Sequence, residues 1–321
     1  MARQKVSVEP KPFFWVPLDK ERPPQKYEPP THESYRDWSG RLKLELEVVS
    51  DYLFVGSGEF GLFTLQGCER SYYAFARRND QLIIPGTGIK GAVRSVVEAI
   101  SNSCVRQIAK GERVPQLHEG CKNENSLCPA CRLFGSTGHR GRVHFSDAVL
   151  LSQVEPTKIK IADLWPPRQT KGRKFYQAKQ FQPLDMQPKK NHRFLEVVPK
   201  GTRFQTTLYF ENTTAAEMGI MMRAIGLDGD QGDAVVSAFP IKLGGAKPRC
   251  LGAVRWKLVG LHLITPSSNL LAALSTGGEQ MPISDSVRTW LADHTLLNDK
   301  AWTKFRDQAR SLNEPCPREV Y

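Results

Sequence analysis

The sequence predicts an α+β protein whose core follows the strand, helix, strand, strand, helix, strand order of a ferredoxin-like sandwich. Three observations carry that expectation: segments of period-two alternation, helical segments placed between them, and a globular composition with 40% hydrophobic and 24% charged residues. At 321 residues the chain can bury a sizeable core in one or two domains.

Residues 1–38 hold seven prolines interleaved with Phe13, Phe14, Trp15 and Tyr27. Proline lacks the backbone donor that a helix interior or inner strand needs, so this segment reads as an extended arm anchored by its aromatics. In RLKLELEVVS, Leu42, Leu44, Leu46 and Val48 alternate with Lys43, Glu45 and Glu47, which gives a strand with one apolar and one charged face. The glycine-broken VGSGEFG ends it, and a poorly patterned stretch runs to Asp80. Gln81 to Ile84 reads as a short strand stopped by Pro85. From Lys90, residues Val93, Val96, Val97 and Ile100 share a helical face. A cysteine-rich insertion over 113–140 follows, and RVHFSDAVLLS returns as a strand. The basic, aperiodic segment at 155–195 reads as a functional projection rather than core. TRFQTTLYF is a strand with Phe204, Thr206, Leu208 and Phe210 on one face. The helix AAEMGIMMRAIGL, the glycine loop LGGAKPRCLG and the last strand AVRWKLVGL complete the core, which spans 39–262. Residues 263–321 read as a helical extension, around Ser267 to Leu274 and Asn298 to Leu312.

Forty-five Lys and Arg against 33 Asp and Glu leave a net charge of +12, which suits a polyanionic partner. No stretch of 18 apolar residues exists. The N-terminus lacks the apolar run of a signal peptide, so a cytoplasmic protein without membrane contact is expected. Between 156 and 193, ten cations face two acids. Among those cations, Lys171, Arg173 and Lys174 lie near Trp165, Phe175, Tyr176 and Phe181. Cations interleaved with aromatics grip single-stranded nucleic acid without reading its sequence, whereas a plain charge run is a solvated face.

Seven cysteines in a chain without an export signal argue against a disulfide framework. Cys68, Cys104, Cys250 and Cys316 read as separate packed thiols. His118, Cys121, Cys128 and Cys131, in H-x2-C-x6-C-x2-C order, read as a structural zinc site, with His118 or another nearby group as fourth ligand. The chain contains G-x-G-x-x-G twice. The first, Gly56, Gly58 and Gly61, opens no helix. The second, in IPGTGIKGAVRSVVEAI, follows a strand and opens a helix, but no buried parallel strand comes after it, which excludes a dinucleotide fold. Its amides, with Lys90 and Arg94 one turn apart, suit phosphate. The glycine loop before the last strand adds Lys247 and Arg249 as phosphate contacts.

Four segments, IPGTGIKGAVRS, CPACRLFG followed by GRVHFSDA, FLEVVPKGTRF and LGGAKPRCLGAV, occur in the order found in the RAMP superfamily. Together they resemble the backbone subunit of multisubunit CRISPR effectors of type III or a derived type such as type VII. The resemblance spans about 40–260. It implies a modified RNA-recognition-motif palm, a zinc-bound finger region and a protruding thumb formed by the basic insertion. It also implies that copies polymerise along a guide RNA, hold target RNA, and join other effector subunits in antiviral defence. Target-cutting members carry an aspartate between the first strand and the IPG motif. Here LQGCERSYYAF offers Glu69, with Asp80 further on. In-line attack is intolerant of small displacements, so a subunit that holds RNA without cutting is favoured, with a separate nuclease in the assembly. The alternative is a magnesium-dependent ribonuclease using Glu69 or Asp80. A guide-processing enzyme would draw on His32, His139, His144 or His192, none of which forms a recognisable pair.

Overall fold

The computed structural model describes residues 12–19, 22–33, 36–105, 114–164, 172–229, 234–264 and 278–318. In chain order its strands are β1 (Phe13–Val16), β2 (Trp38–Val48), β3 (Tyr52–Leu53), β4 (Gly56–Leu65), β5 (Cys68–Phe75), β6 (Arg77–Arg78), β7 (Gln81–Ile84), β8 (Val143–Phe145), β9 (Ala148–Leu150), β10 (Thr157–Ala162), β11 (Arg173–Tyr176), β12 (Ala178–Gln180), β13 (His192–Pro199), β14 (Arg203–Thr213), β15 (Ile241–Lys242), β16 (Ala253–Ile264), β17 (Glu279–Gln280) and β18 (Ser311–Pro315). The α-helices described are α1 (Gly86–Ile100), α2 (Pro129–Phe134), α3 (Ala215–Ala224), α4 (Ile283–Ala292) and α5 (Asp299–Ala309).

The alternation of β2 sets the centre of the molecule. Its leucines are fully buried, and its charged residues stay on the opposite face. β2 lies between β14 and β16, antiparallel to both, in a sheet ordered β15-β16-β2-β14-β9-β7-β6. The apolar face packs against Ile89, Val93 and Val97 of α1, the buried methionines of α3, and Trp290 of α4. Helix α3 starts with a capping box: the Thr214 side chain accepts from the Glu217 N–H, and the Glu217 side chain accepts from the Thr214 N–H. The same buried Glu217 carboxylate pairs with Arg142 and, at 3.3 Å, with Arg132. Arg142 also donates to the Asn212 carbonyl. This ionic group pins β8, α2 and α3 together inside the core.

The stretch from 56 to 75 has no sequence alternation, yet it forms the hairpin β4–β5. Gln66 and Gly67, both at positive φ, turn it tightly. β4 is exposed over most of its length, and a strand wet on both faces leaves no period to read. The hairpin joins β10 and β13 in a second sheet ordered β10-β13-β5-β4. Under it lies a smaller core of Phe54, Ile159, Ile161, Leu195, Val197, Ala246 and Leu251. The basic insertion is therefore not a bare projection: Ile159 and Ile161 of β10 are core residues. The N-terminal arm pairs through β1 with β11, and buries Phe14 and Val16 in the main core.

Two cysteine expectations need correction. Cys104 is not a separate packed thiol, since it belongs to the cysteine cluster described below. Cys250 and Cys316 are joined as a disulfide across a sequence separation of 66. β18 runs parallel to β12 and carries Cys316 back to the glycine loop, a pairing invisible from linear spacing. Of the expected C-terminal helices, the one around Ser267 to Leu274 lies outside the described residues, and the other is α5.

Candidate nucleic-acid interface and metal centre

Cys128 and Cys131 flank the first turn of α2, where Pro129 takes the first helical position and needs no amide partner. The loop before them returns Cys121, whose sulfur accepts the Cys128 N–H at 3.3 Å. The fourth member is Cys104, just beyond α1. Its sulfur stands 3.6 Å from both Cys128 and Cys131, and all four sulfurs lie within 4.8 Å of one another. Tetrahedral Zn–S bonds of about 2.3 Å require S···S spacings near 3.8 Å, so the group fits zinc. Cys104, Cys128 and Cys131 are buried and Cys121 is half-buried. Hydrogen bonds among the four thiols lower Cys128 and Cys121, the latter to about 7, and raise Cys104 and Cys131. A divalent cation would be needed to take the protons from the two raised thiols.

His118 is not brought into this group. Its Nε2 meets the Asp19 carbonyl at 2.8 Å, which ties the N-terminal arm to the loop that precedes α2. The physical reason is local. A 3-10 turn at Gln116–His118 holds the ring against the arm, while the end of α1 delivers Cys104.

Most of the cations expected on RNA are committed elsewhere. Arg94 donates to Glu98 at 2.8 Å, to the Gly135 carbonyl at 3.0 Å and to the Cys131 sulfur at 3.5 Å. Arg173 is half-buried and donates to the carbonyls of Ser103 and Cys104. Both arginines therefore face the cysteine cluster rather than solvent. Arg249 is buried and donates to the carbonyls of Ala162, Asp163 and Pro317. Lys174 sits 3.9 Å from the Phe13 ring centroid, with Trp15 and Tyr176 also near. Lys171 and Trp165 lie outside the described residues. Lys160, Lys179 and Arg193 pair with Asp185, Glu314 and Asp163. Phe175 stacks on Phe14, and Phe181 stands edge-on to Tyr52.

The helix end at IPGTGIKG is likewise filled. The Gly86 N–H donates to Asp147 at 2.8 Å, and the Gly88 and Ile89 amides are hydrogen-bonded to the Pro85 carbonyl. A carboxylate of the chain itself occupies the place that phosphate would take. Gly86 is needed for another reason: a Cβ there would stand 2.2 Å from the Phe145 carbonyl oxygen. Lys90 remains half-exposed, its pKa lowered by burial and then by Arg94.

The structure assembles a different row, which sequence reasoning missed. On the open face of the central sheet, His262 lies opposite Arg41, Arg41 opposite Tyr209, and Tyr209 opposite His144. Residues directly opposite share a face, so these four side chains form a band across four strands. Lys90 stands near enough to help depress the His144 pKa, after burial. Burial, then Arg41 and Lys43, lowers that of His262. Tyr209 is 48% exposed, enough to offer a stacking face. Lys43, Arg203, Arg255 and Lys257 extend the band down the same face, among Glu45 and Glu47. The period-two pattern of β2 and β14 held the signal, but only the strand order shows which charged faces adjoin.

The two candidate carboxylates are not brought to one site. Glu69 is exposed on β5 beside the hairpin turn, and Asp80 sits at positive φ in the β6–β7 turn, in an open cleft with Arg77 and Glu155.

The family model of the RAMP superfamily matches residues 45–245, and the chain belongs to that superfamily. Membership supports a CRISPR-associated, RNA-binding subunit. No curated protein matches the sequence. Among the described residues, no helix is long and apolar enough to cross a membrane.

Proposed function

We propose that this protein is the RNA-holding backbone subunit of a type III or type III-derived CRISPR effector, and that it lays the open face of its central sheet along the guide. The observation that carries this reading is the band His262, Arg41, Tyr209 and His144 on the face opposite the core, with Tyr209 and His144 exposed and Arg41 and His262 half-buried. Cations neutralise phosphates while an aromatic face stacks a base, and neither needs a particular sequence. The sheet order β16-β2-β14-β9 places the last core strand beside the first, then the third, then the second, which supports a ferredoxin-like palm. Zinc in the four-cysteine site stiffens the finger region and takes no part in chemistry, because four protein ligands leave no open position. Repeated copies, a target RNA and other effector subunits complete the assembly, with cutting left to a separate nuclease.

The test is direct. Binding of single-stranded RNA by the zinc-loaded chain weakens with salt by a log–log slope of about −0.7 per phosphate contact. Tyr209→Ala weakens it by about tenfold, the loss of one stacked base. Within the purified assembly, complementary labelled RNA with magnesium stays intact until a nuclease is added. Cutting that disappears in Glu69→Ala or Asp80→Ala with binding retained would make the subunit the ribonuclease instead.

A further inference from the structure

A cleft of about 130 Å³ opens where helix α1, the β1–β11 pair, β15 and helix α5 meet. It lies where the N-terminal arm, the basic insertion, the glycine loop and the C-terminal helix converge. Its walls carry four aromatic side chains, Phe14, Phe175, Tyr176 and Phe305. Lys174, Lys242 and Lys247 line it too, and no carboxylate does. Lys242 donates to the carbonyls of Cys250 at 2.8 Å and Leu251 at 3.0 Å, which leaves one ammonium proton for another acceptor. The Lys247 side chain makes no hydrogen bond or ion pair among the described residues. Burial lowers both lysines, Lys242 to about 7 with help from the neighbouring Lys247 charge. Asp51, the acid that acts on Lys242, accepts the Phe181 N–H at 2.7 Å.

Burial favours the neutral form of both lysines, and an anion placed between them would hold both protonated. A small hydrated anion would leave the aromatic walls unused, and an apolar ligand would leave the lysines unpaired. A ligand with a planar ring and a compact anionic group satisfies both. We propose that this cleft binds a nucleoside monophosphate, its base among the aromatic side chains and its phosphate on Lys242 and Lys247. The source is either a free nucleotide or the phosphorylated end of an RNA strand. The site is separate from the sheet face and does not depend on the reading of that face.

Calorimetric titration of the full-length, zinc-loaded protein with adenosine 5′-monophosphate tests it. Saturable binding is expected, with adenosine and inorganic phosphate each weaker by about tenfold or more. Lys247→Ala removes a phosphate contact, and Ser95→Trp fills the cleft from α1 without touching a lysine. Each weakens binding about tenfold or more in protein shown folded by circular dichroism, while Arg288→Ala, on an exposed helix face outside both sites, leaves it unchanged. Binding of a 5′-phosphorylated trinucleotide but not of the monophosphate assigns the cleft to an RNA end, and the reverse assigns it to a free nucleotide. The proposal is overturned if neither probe binds, if phosphate alone binds as well, if both cleft variants leave binding intact, or if Arg288→Ala abolishes it.

Discussion

Around Cys131 and Cys104 the chain places two arginines, Arg94 on the sulfur and Arg173 on the adjoining carbonyls. Four thiolates around one divalent cation carry net negative charge, and buried negative charge is stable only beside a compensating cation. Those arginines supply it, which explains why they are unavailable to RNA. The C-x2-C pair was legible because two ligands on one tight turn leave a local spacing. Cys104 was not, because the end of α1 delivers it from well upstream. The odd cysteine count resolves once contacts are known: four in the cluster, two in the disulfide, and Cys68 exposed. Cys104→Ser is expected to yield protein without stoichiometric zinc, while His118→Ala keeps its metal. Metal analysis of both purified variants checks this, and zinc retained in the first but lost in the second would restore His118 as the ligand.

The strands β2, β14 and β16 and helix α1 were readable because burial on one face imposes a period on the residues themselves. The hairpin β4–β5 was not, because its exposed strand imposes none. The glycine loop was readable as a loop, but its first glycine serves close backbone packing rather than phosphate. Gly244 has φ 73°, and a Cβ there would stand 2.0 Å from the Phe54 carbonyl oxygen. Gly244→Ala is therefore expected to destabilise the fold by at least about 1–3 kcal/mol, read as a lowered urea midpoint. Between β13 and β5, Glu196 is buried and receives both terminal nitrogens of Arg77, at 2.6 and 3.0 Å, and the Phe75 N–H. Burial would raise its pKa, but these donors outweigh that and hold it below the ordinary carboxylate value. A depressed carboxylate stabilises the fold above its unfolded pKa and loses that contribution as pH falls through the folded one. The stability gap between wild type and Glu196→Gln should accordingly narrow below about pH 4. A gap constant down to acid pH would remove the ionised carboxylate from the explanation.

At the scale of the whole molecule, the excess of +12 is real, but its distribution along the chain misleads. The basic insertion looks like the contact surface in sequence because some of its partners, Glu314 and the carbonyls of Ser103 and Cys104, come from distant segments. Folding turns much of that charge inward and leaves the sheet face as the broad surface where cations and an exposed tyrosine adjoin. Ultraviolet crosslinking of the RNA-loaded protein, followed by mass spectrometry of the peptides, separates the two surfaces most directly. Crosslinks at Tyr209 and His262, lost in proportion when Arg41 is replaced by alanine, are the expected result. Crosslinks confined to residues 172–193, with the sheet face untouched, would contradict the placement of RNA proposed above.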